Sequence, residues 1–231
     1  MKIVILSGAG ISAESGVKTF RDSDGLWENH DVMEVASIDG WNRNMELVLD
    51  FYNKRRAQLK DVIPNEAHIY CQKLEEEHHV NVITQNVDDL HERAGSQNIL
   101  HLHGSLLLAK SVKNDSLVYE WKDDILPGNM AEDGHQLRPG IVWFGEAVPA
   151  IGAAIEIVKS CDVLIIVGTS LQVYPAASIV GFAHHAHSIY LIDPAFVESY
   201  ETKVLGNKLK VIKDIASSGM KFVFEEINKM N

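Results

Sequence analysis

The chain has 231 residues, of which 46% are hydrophobic and 23% charged, and it carries a net charge of −11. That size and balance fit one large globular domain with room for a smaller lobe, and they exclude a disordered chain. The acidic surplus argues against sequence-independent nucleic-acid binding, which needs a basic footprint, and no apolar run approaches the roughly 18 residues of a membrane span.

Lys2–Leu6 is an unbroken apolar run after its lysine, the pattern of a strand buried on both faces. It feeds Ser7-Gly8-Ala9-Gly10-Ile11-Ser12-Ala13, in which Gly8-x-Gly10-x-x-Ala13 matches a dinucleotide fingerprint in its required strand-to-helix setting. Glycines let the backbone approach a pyrophosphate, and a helix start supplies N–H donors. The N-terminus is too short for a signal peptide before this turn, so the cytoplasm is the expected compartment. The acidic strand end about 20 residues further on, usual in dehydrogenases, is missing. Thr19–Trp27 reads instead as a polar loop with aromatic anchors.

Residues 42–60 read as a helix with Met45, Val48, Leu49, Tyr52, Arg56 and Leu59 on one face. Tyr52 and Arg55, three apart, are neighbours on its surface. Their plain reading is a tyrosine packed over a solvated arginine. Pro64-Asn65 opens another helix, through Leu74. Val80, Val82 and Ile83 form a buried strand whose end carries Gln85, Asn86, Asp88 and Asp89. A short helix then runs to Gly95 as its C-cap, and Ile99–His103 is a further strand ending at Gly104. Parallel strands present their carboxyl ends to a ligand crevice, which predicts that Asn86, Asp88 and His103 converge. The same residues also suit an Asx-rich helix cap and a histidine in an edge strand.

Residues 105–137 change character and read as an insertion, with a strand over Ser116–Trp121 and a polar loop over Pro127–Gln136. Arg138–Glu146 returns to apolar strand, Pro149–Ser160 to helix, and Asp162–Val167 to core strand, closed by Gly168-Thr169-Ser170. A helix is expected around Pro175–Ala186, with His184, His185 and His187 as a C-terminal cluster favoured by the helix dipole rather than a metal site. Ser188–Ile192 and Leu209–Ile212 read as strands, and a helix from about Gly219 closes the chain. Cys71 and Cys161 sit in apolar contexts and read as buried thiols. The alternation predicts an α/β fold with a mainly parallel sheet covered by helices on both faces.

Taken together, Gly8-Ala9-Gly10-Ile11-Ser12, Thr19-Phe20-Arg21, Gln85-Asn86-Val87-Asp88, His103-Gly104, Val142-Trp143-Phe144-Gly145-Glu146 and Gly168-Thr169-Ser170 resemble the sirtuins, NAD-dependent protein-lysine deacylases. The motifs come in the family's order and span nearly the whole chain. The resemblance implies a Rossmann-like NAD-binding domain of residues 1–27, 67–104 and 138–231, and a small lobe built from insertions 28–66 and 105–137. It implies NAD as cofactor and acyl-lysine proteins or peptides as partners, bound in the cleft between the lobes of a monomer. By the same resemblance Gly8, Ala9, Gly10, Ser12, Ala13, Phe20 and Arg21 line the NAD site. Gln85 holds ribose, and Asn86 and Asp88 meet the nicotinamide-ribose region, Asn86 counting among the catalytic residues. Gly168, Thr169, Ser170, Asp193 and Ala216 complete the cofactor set. Val142, Phe144, Gly145 and Glu146 pair with the substrate backbone by strand addition, and His103 is the general base.

The implied reaction starts with attack of the acyl oxygen on C1′ of the nicotinamide ribose. His103, neutral near its ordinary pKa of about 6.5, then takes a ribose proton. Products are nicotinamide, O-acyl-ADP-ribose and free lysine. An NAD glycohydrolase or mono-ADP-ribosyltransferase on the same scaffold, and a module that binds NAD or ADP-ribose without turnover, are the other readings. Product identity separates the first two from deacylation, while His103 and motif 142–146 favour deacylation over mere binding.

Two departures stand out. The family's structural zinc is held by two Cys-x-x-Cys pairs in the second insertion, and residues 105–137 contain no cysteine. Ser111 and Asn114 stand about where the first pair falls, so no metal is expected and the lobe must be held by packing of Leu106, Leu107, Leu108, Val118, Tyr119 and Trp121. Asp193 stands where many relatives present asparagine. The Tyr52-x-x-Arg55 spacing, with Ala36 upstream, resembles the bacterial-type desuccinylase and demalonylase class, in which guanidinium and phenol meet an acyl carboxylate and the small residue leaves room.

Overall fold

The longest apolar runs become the centre of one parallel sheet. The computed structural model describes residues 1–18, 26–27 and 30–230. In chain order the strands are β1 (Lys2–Ser7), β2 (Leu26–Trp27), β3 (His30–Asp31), β4 (His79–Thr84), β5 (Ile99–His101) and β6 (Gly104–Ser111). They continue with β7 (Val118–Glu120), β8 (Leu137–Ile141), β9 (Val163–Val167), β10 (Ser188–Ile192) and β11 (Leu209–Ile212). The α-helices are α1 (Val32–Val35), α2 (Ile38–Arg43), α3 (Met45–Gln58), α4 (Glu66–Leu74), α5 (Leu90–Ala94), α6 (Ile151–Lys159), α7 (Tyr200–Leu205) and α8 (Ala216–Asn228). Ala9–Ser15 and Ala176–Phe182, both expected as α-helices, are 3-10 helices. The exposed histidine turn 184–187 therefore follows a 3-10 helix that has already ended at Phe182, rather than capping an α-helix.

Six parallel strands stand in the order β11-β10-β9-β1-β4-β5. The chain winds outward from β1 through β4 to β5, then returns to β9 on the other side of β1. The winding direction thus reverses between β1 and β9, where a crevice opens at the strands' carboxyl ends. On one face Val4, Leu6, Leu164 and Ile166 pack with Val158, Ile179 and Leu191. On the other, Ile3, Ile5, Val163 and Ile165 pack with Leu74, Met220 and Val223 of α4 and α8. Burial on both faces is why these strands read as continuous apolar runs without alternation.

The second layer is a three-stranded antiparallel sheet, β7-β6-β8, packed with α1–α3. β8, read from sequence as part of a strand reaching Glu146, pairs with β6 rather than with the parallel sheet and stops at Ile141. Of the residues expected to hold this layer, Leu106 is fully buried and Leu107, Tyr119 and Trp121 pack partly, but Val118 is 48% exposed. Polar clasps do work that the apolar list missed. Arg56 of α3, 2% exposed, donates from Nε to the Leu106 carbonyl at 2.7 Å and from Nη1 to Asn53 Oδ1 at 2.8 Å. Asn53 in turn pairs with both backbone groups of Ile125. Burial lowers the Arg56 pKa, and Asp124 and Asp123 oppose that.

At the corner where a zinc ligand was looked for, Ser111 is 1% exposed. Its hydroxyl donates to Asp133 Oδ2 at 2.7 Å and accepts from the N–H groups of Lys113 and Asn114. These oxygen and nitrogen donors satisfy one another, and the two free cysteines lie in the main core, so the zinc of the family does not fit this corner. Ser111→Ala takes the acceptor from two N–H groups and the hydroxyl donor from the Asp133 carboxylate. It is expected to lower the denaturant midpoint. An unchanged midpoint would show that this corner is held by something else.

A candidate active site at the carboxyl ends of the parallel strands

The crevice is made by two backbone turns pressed together. Gly8 N–H donates to Val167 O at 3.0 Å, and Gly10 N–H to Gly168 O at 2.8 Å. A Cβ on Gly8 would lie 2.7 Å from Gly168 O, and one on Gly168 would collide with Ile11 N at a φ of +66°. Neither position accepts a side chain, and the backbone that a pyrophosphate approaches stays bare. Ala9 is half-buried, Ala13 exposed and Ser12 buried along the 3-10 helix that follows. Phe20 and Arg21 lie outside the described residues.

The β4 end supplies a hydrogen-bonded cluster. Asn86 Nδ2 donates to Ser12 Oγ at 3.1 Å, and Ser12 Oγ donates to Asp88 Oδ2 at 3.0 Å. Burial raises the Asp88 pKa, and the Leu90 N–H and Ser12 hydroxyl pull it back. Gln85 Nε2 reaches across the crevice to Thr169 Oγ1 at 3.0 Å, with Ser170 half-buried beside it. Asp193 ends β10, 8% exposed, and caps its own turn by accepting from Ala195 N–H. Ala216 is buried at the start of α8, whose Ser217 holds Glu14 of the 3-10 helix.

Two histidines two residues apart have opposite environments. His103 Nδ1 faces the Gln85 carbonyl at 3.0 Å, which fixes the proton on Nδ1 and leaves the Nε2 lone pair open. Burial lowers its pKa below the ordinary value, against the Gln85 contact, so the ring is neutral at pH 7. His101 meets acceptors on both nitrogens, Asn86 O at 3.0 Å and Glu92 Oε1 at 2.6 Å. Burial disfavours its charge, but Glu92, the Asn86 carbonyl and Asp88 together raise its pKa. His103 suits a base, and His101 suits a fixed strut under the Asn86 turn.

On the side of the antiparallel layer, Ala36 is 3% exposed and its carbonyl accepts from Phe144 N–H at 2.9 Å. Val142 N–H donates to His103 O at 3.0 Å, so segment 142–146 spans both layers. Gly145 turns it at a φ of +88°. Glu146, expected to face the substrate backbone, is engaged within the protein by Arg138 Nη2 and Trp143 N–H. Tyr52 is wholly buried, and Arg55, 7% exposed, stacks its guanidinium 4.4 Å from the Trp27 ring centroid. Arg55 lines a pocket of about 270 Å³ with His30, Phe51, Lys54 and Gln58, while Tyr52 faces Trp143 instead.

A Sir2 family model matches residues 8–175. The chain belongs to the Sir2 family. It is similar to a Helicobacter pylori protein named NAD-dependent protein deacylase, 64% identical over 192 residues that cover 83% of this chain and 84% of that one. The fold matches a crystal structure of a Sir2 homologue–NAD complex at a TM-score of 0.85 and 35% identity, over 99% of this chain and 90% of that one. It also matches a Sir2 protein bound to acetylated peptide at a TM-score of 0.78 and 27% identity, covering 98% and 93%.

Beneath the site lies a buried polar floor that the sequence reading missed. His91 Nε2 donates to Ser7 Oγ at 2.9 Å, Ser7 Oγ donates to Thr84 Oγ1, and Thr84 Oγ1 accepts from Asn86 N–H at 3.0 Å. Ser7 and Thr84 are register partners at the ends of β1 and β4. Paired hydroxyls closing two apolar strands were the available signal. His68, capping α4 with Asn65, packs its ring 5.0 Å from that of His91. Burial lowers the His68 pKa to about 4, and burial together with the charge of His68 and His101 pushes His91 well down.

These depressed values set a pH dependence. Below about pH 6.5 the unfolded chain protonates these rings while the folded protein excludes the protons. Stability therefore falls as pH drops from about 6.5, by up to about 1.4 kcal/mol per pH unit per group, and the His68 share levels off near pH 4. His68→Asn should flatten that slope in denaturant melts taken across the range. An unaltered slope would show that His68 is not excluded from protonation.

Proposed function

We propose that this NAD-dependent protein-lysine deacylase favours acyl groups that end in a carboxylate, such as succinyl, over acetyl. The observation that carries the reading is the burial of Arg55. A solvated helix arginine would be open to water, whereas Arg55 is 7% exposed and lines a pocket with His30 and Lys54. That basic setting suits an acyl carboxylate, which a guanidinium binds by charge-assisted hydrogen bonds. Ala36 is a small buried residue bonded through its carbonyl to Phe144, and Tyr52 lies one helical turn from Arg55.

The glycine cradle of Gly8, Gly10 and Gly168 fits a dinucleotide pyrophosphate, because only bare backbone occupies it. NAD supplies a ribose carbon that takes the acyl oxygen and releases nicotinamide. Ser12, Asn86 and Asp88 hold the ribose beside that carbon, and their dipoles suit the positive charge that develops there. Gln85 and Thr169 brace the crevice from opposite sides. His103 takes the ribose proton at Nε2, the nitrogen its Gln85 contact leaves basic. Segment 142–146 lines the peptide, with its Val142 and Phe144 N–H groups already spent on His103 and Ala36. Gly145, with no side chain and open space beside it, leaves room for a substrate strand. The protein works without zinc, since Ser111 and Asp133 close the corner by hydrogen bonds.

His103→Ala is expected to lower deacylation about 10²–10⁴-fold while NAD binding, read by calorimetry, stays within a few-fold. Near-normal turnover would remove His103 from the reaction, and free ADP-ribose as the product would favour NAD hydrolysis. Arg55→Met should lower kcat/KM for a succinyl-lysine peptide by roughly 10–150-fold and for the acetyl peptide only a few-fold. Equal losses would make Arg55 structural. Elemental analysis of the active protein should find no bound zinc, and one zinc per chain, lost together with folding on chelation, would refute the zinc-independent reading.

A further inference from the structure

Tyr52 has one neighbour that decides what its hydroxyl can do. Trp143 is 2% exposed, and its indole packs against a ring and a cation. The Trp41 ring centroid lies 5.6 Å from that of Trp143, and the Arg138 guanidinium 3.9 Å from it. Its backbone N–H donates to Glu146 Oε2 at 2.7 Å, and Glu146 Oε1 takes Arg138 Nη2 at 2.5 Å. Ring and backbone thus have a single setting, and the indole N–H points at the Tyr52 hydroxyl, 3.1 Å away.

An indole N–H only donates, so the phenol oxygen must accept, and its one proton must point elsewhere. Among the described residues the Tyr52 hydroxyl donates to nothing, although its side chain is wholly buried. A buried donor without an acceptor is unfavourable, and a ligand that brings an acceptor relieves it. Burial also raises the phenol's pKa well above its ordinary value, so the proton stays on oxygen.

We propose that Trp143 is a specificity-positioning residue: by donating to the Tyr52 hydroxyl it turns the phenol proton toward the acyl group and selects acyl groups that end in a hydrogen-bond acceptor, carboxylates above all. This rests on the carboxylate reading of the Tyr52–Arg55 helix face. Without the indole donor the hydroxyl can rotate and present lone pairs to the carboxylate, which repels it. With the donor the productive orientation exists before substrate arrives. An acetyl group has no acceptor beyond its own carbonyl and gains nothing from this orientation.

The test is a double-mutant cycle of Trp143→Phe and Tyr52→Phe, with kcat and KM measured for succinyl- and acetyl-lysine peptides of one sequence. Trp143→Phe keeps an aromatic ring and removes the N–H. It should raise KM for the succinyl peptide about 3- to 10-fold with little change in kcat, lowering the succinyl-to-acetyl ratio of kcat/KM by the same factor. In the Tyr52→Phe background the same change should move that ratio less than about 2-fold, because no hydroxyl remains to be oriented. Equal losses for both peptides, or an effect as large without the Tyr52 hydroxyl as with it, would overturn the proposal and leave Trp143 a packing residue. If Trp143→Phe melts below the assay temperature, benzothienylalanine at position 143 replaces only the N–H by sulfur, and the same ratios decide. Arg55→Met and Tyr52→Phe run alongside. If neither lowers the ratio, or the unmodified protein does not act on succinyl-lysine, the carboxylate reading fails and takes this proposal with it. If both lower it and Trp143→Phe does not, the positioning role alone fails.

Discussion

Everything at the site depends on how closely the turn after β1 approaches the turn after β9. The backbones of residues 8–11 and 167–168 touch through two N–H···O bonds, with no space for a Cβ at Gly8 or Gly168. That contact closes the winding reversal of the sheet into a crevice of fixed width. It leaves bare peptide groups where a pyrophosphate is cradled, and it sets Thr169 within reach of Gln85 on the far side of β1. A single methyl group at Gly8 would wedge the two turns apart and displace the polar cluster that hangs from them. The constraint is steric, and the hydrogen bonding follows from it.

The second condition is a polar floor inside an otherwise apolar sheet. Ser7, Thr84 and His91 are all within 1% of full burial, and hydrogen bonds link His91 Nε2, the Ser7 hydroxyl and the Thr84 hydroxyl in a row. The last acceptor, Thr84 Oγ1, holds the Asn86 N–H, so the orientation of the Gln85–Asp88 turn is set from beneath. From the side, His101 bonds the Asn86 carbonyl and Glu92. One turn therefore carries a base contact at Gln85 and a strut contact at Asn86. Burial dominates at His103 and the Glu92 pairing prevails at His101, which is how residues so near in sequence have their pKa values moved in opposite directions.

The parallel sheet was legible because strands buried on both faces leave unmistakable apolar runs, and the glycine turns were legible because only glycine fits them. Gln85, Asn86, Asp88 and His103 were legible as chemistry-bearing residues at strand ends. What stayed hidden came from contacts between distant segments. Leu137–Ile141 looks like a core strand, but its partner is chosen by the antiparallel strand Gly104–Ser111, 26 or more positions away. Val118 satisfies a strand pattern yet faces solvent, because β7 is an edge strand with one face covered. Glu146 reads as a substrate contact by motif, while the buried Arg138, eight residues earlier, claims its carboxylate. No local pattern announces that Arg56 or Asn53 will tie a helix to a distant loop, since such clasps depend on tertiary approach.

The same loop that shapes the acyl end also steadies the base, and this links selectivity to catalysis mechanically. Val142 N–H holds the His103 carbonyl, Trp143 N–H holds the Glu146 carboxylate at the end of the same loop, and Phe144 N–H holds the Ala36 carbonyl, three successive donors each engaged. Shifting any one anchor moves the other two, because consecutive residues cannot rotate independently once their N–H groups are bonded. Arg138 stands at the junction, bonded to Glu146 and stacked on Trp143, while β8 carries it from the antiparallel layer. The antiparallel layer thus reaches the reacting centre through one buried cation and one short loop. Its own stiffness must come from clasps such as Ser111–Asp133 and Arg56–Leu106, since a loose layer would pass its motion directly to Tyr52 and His103.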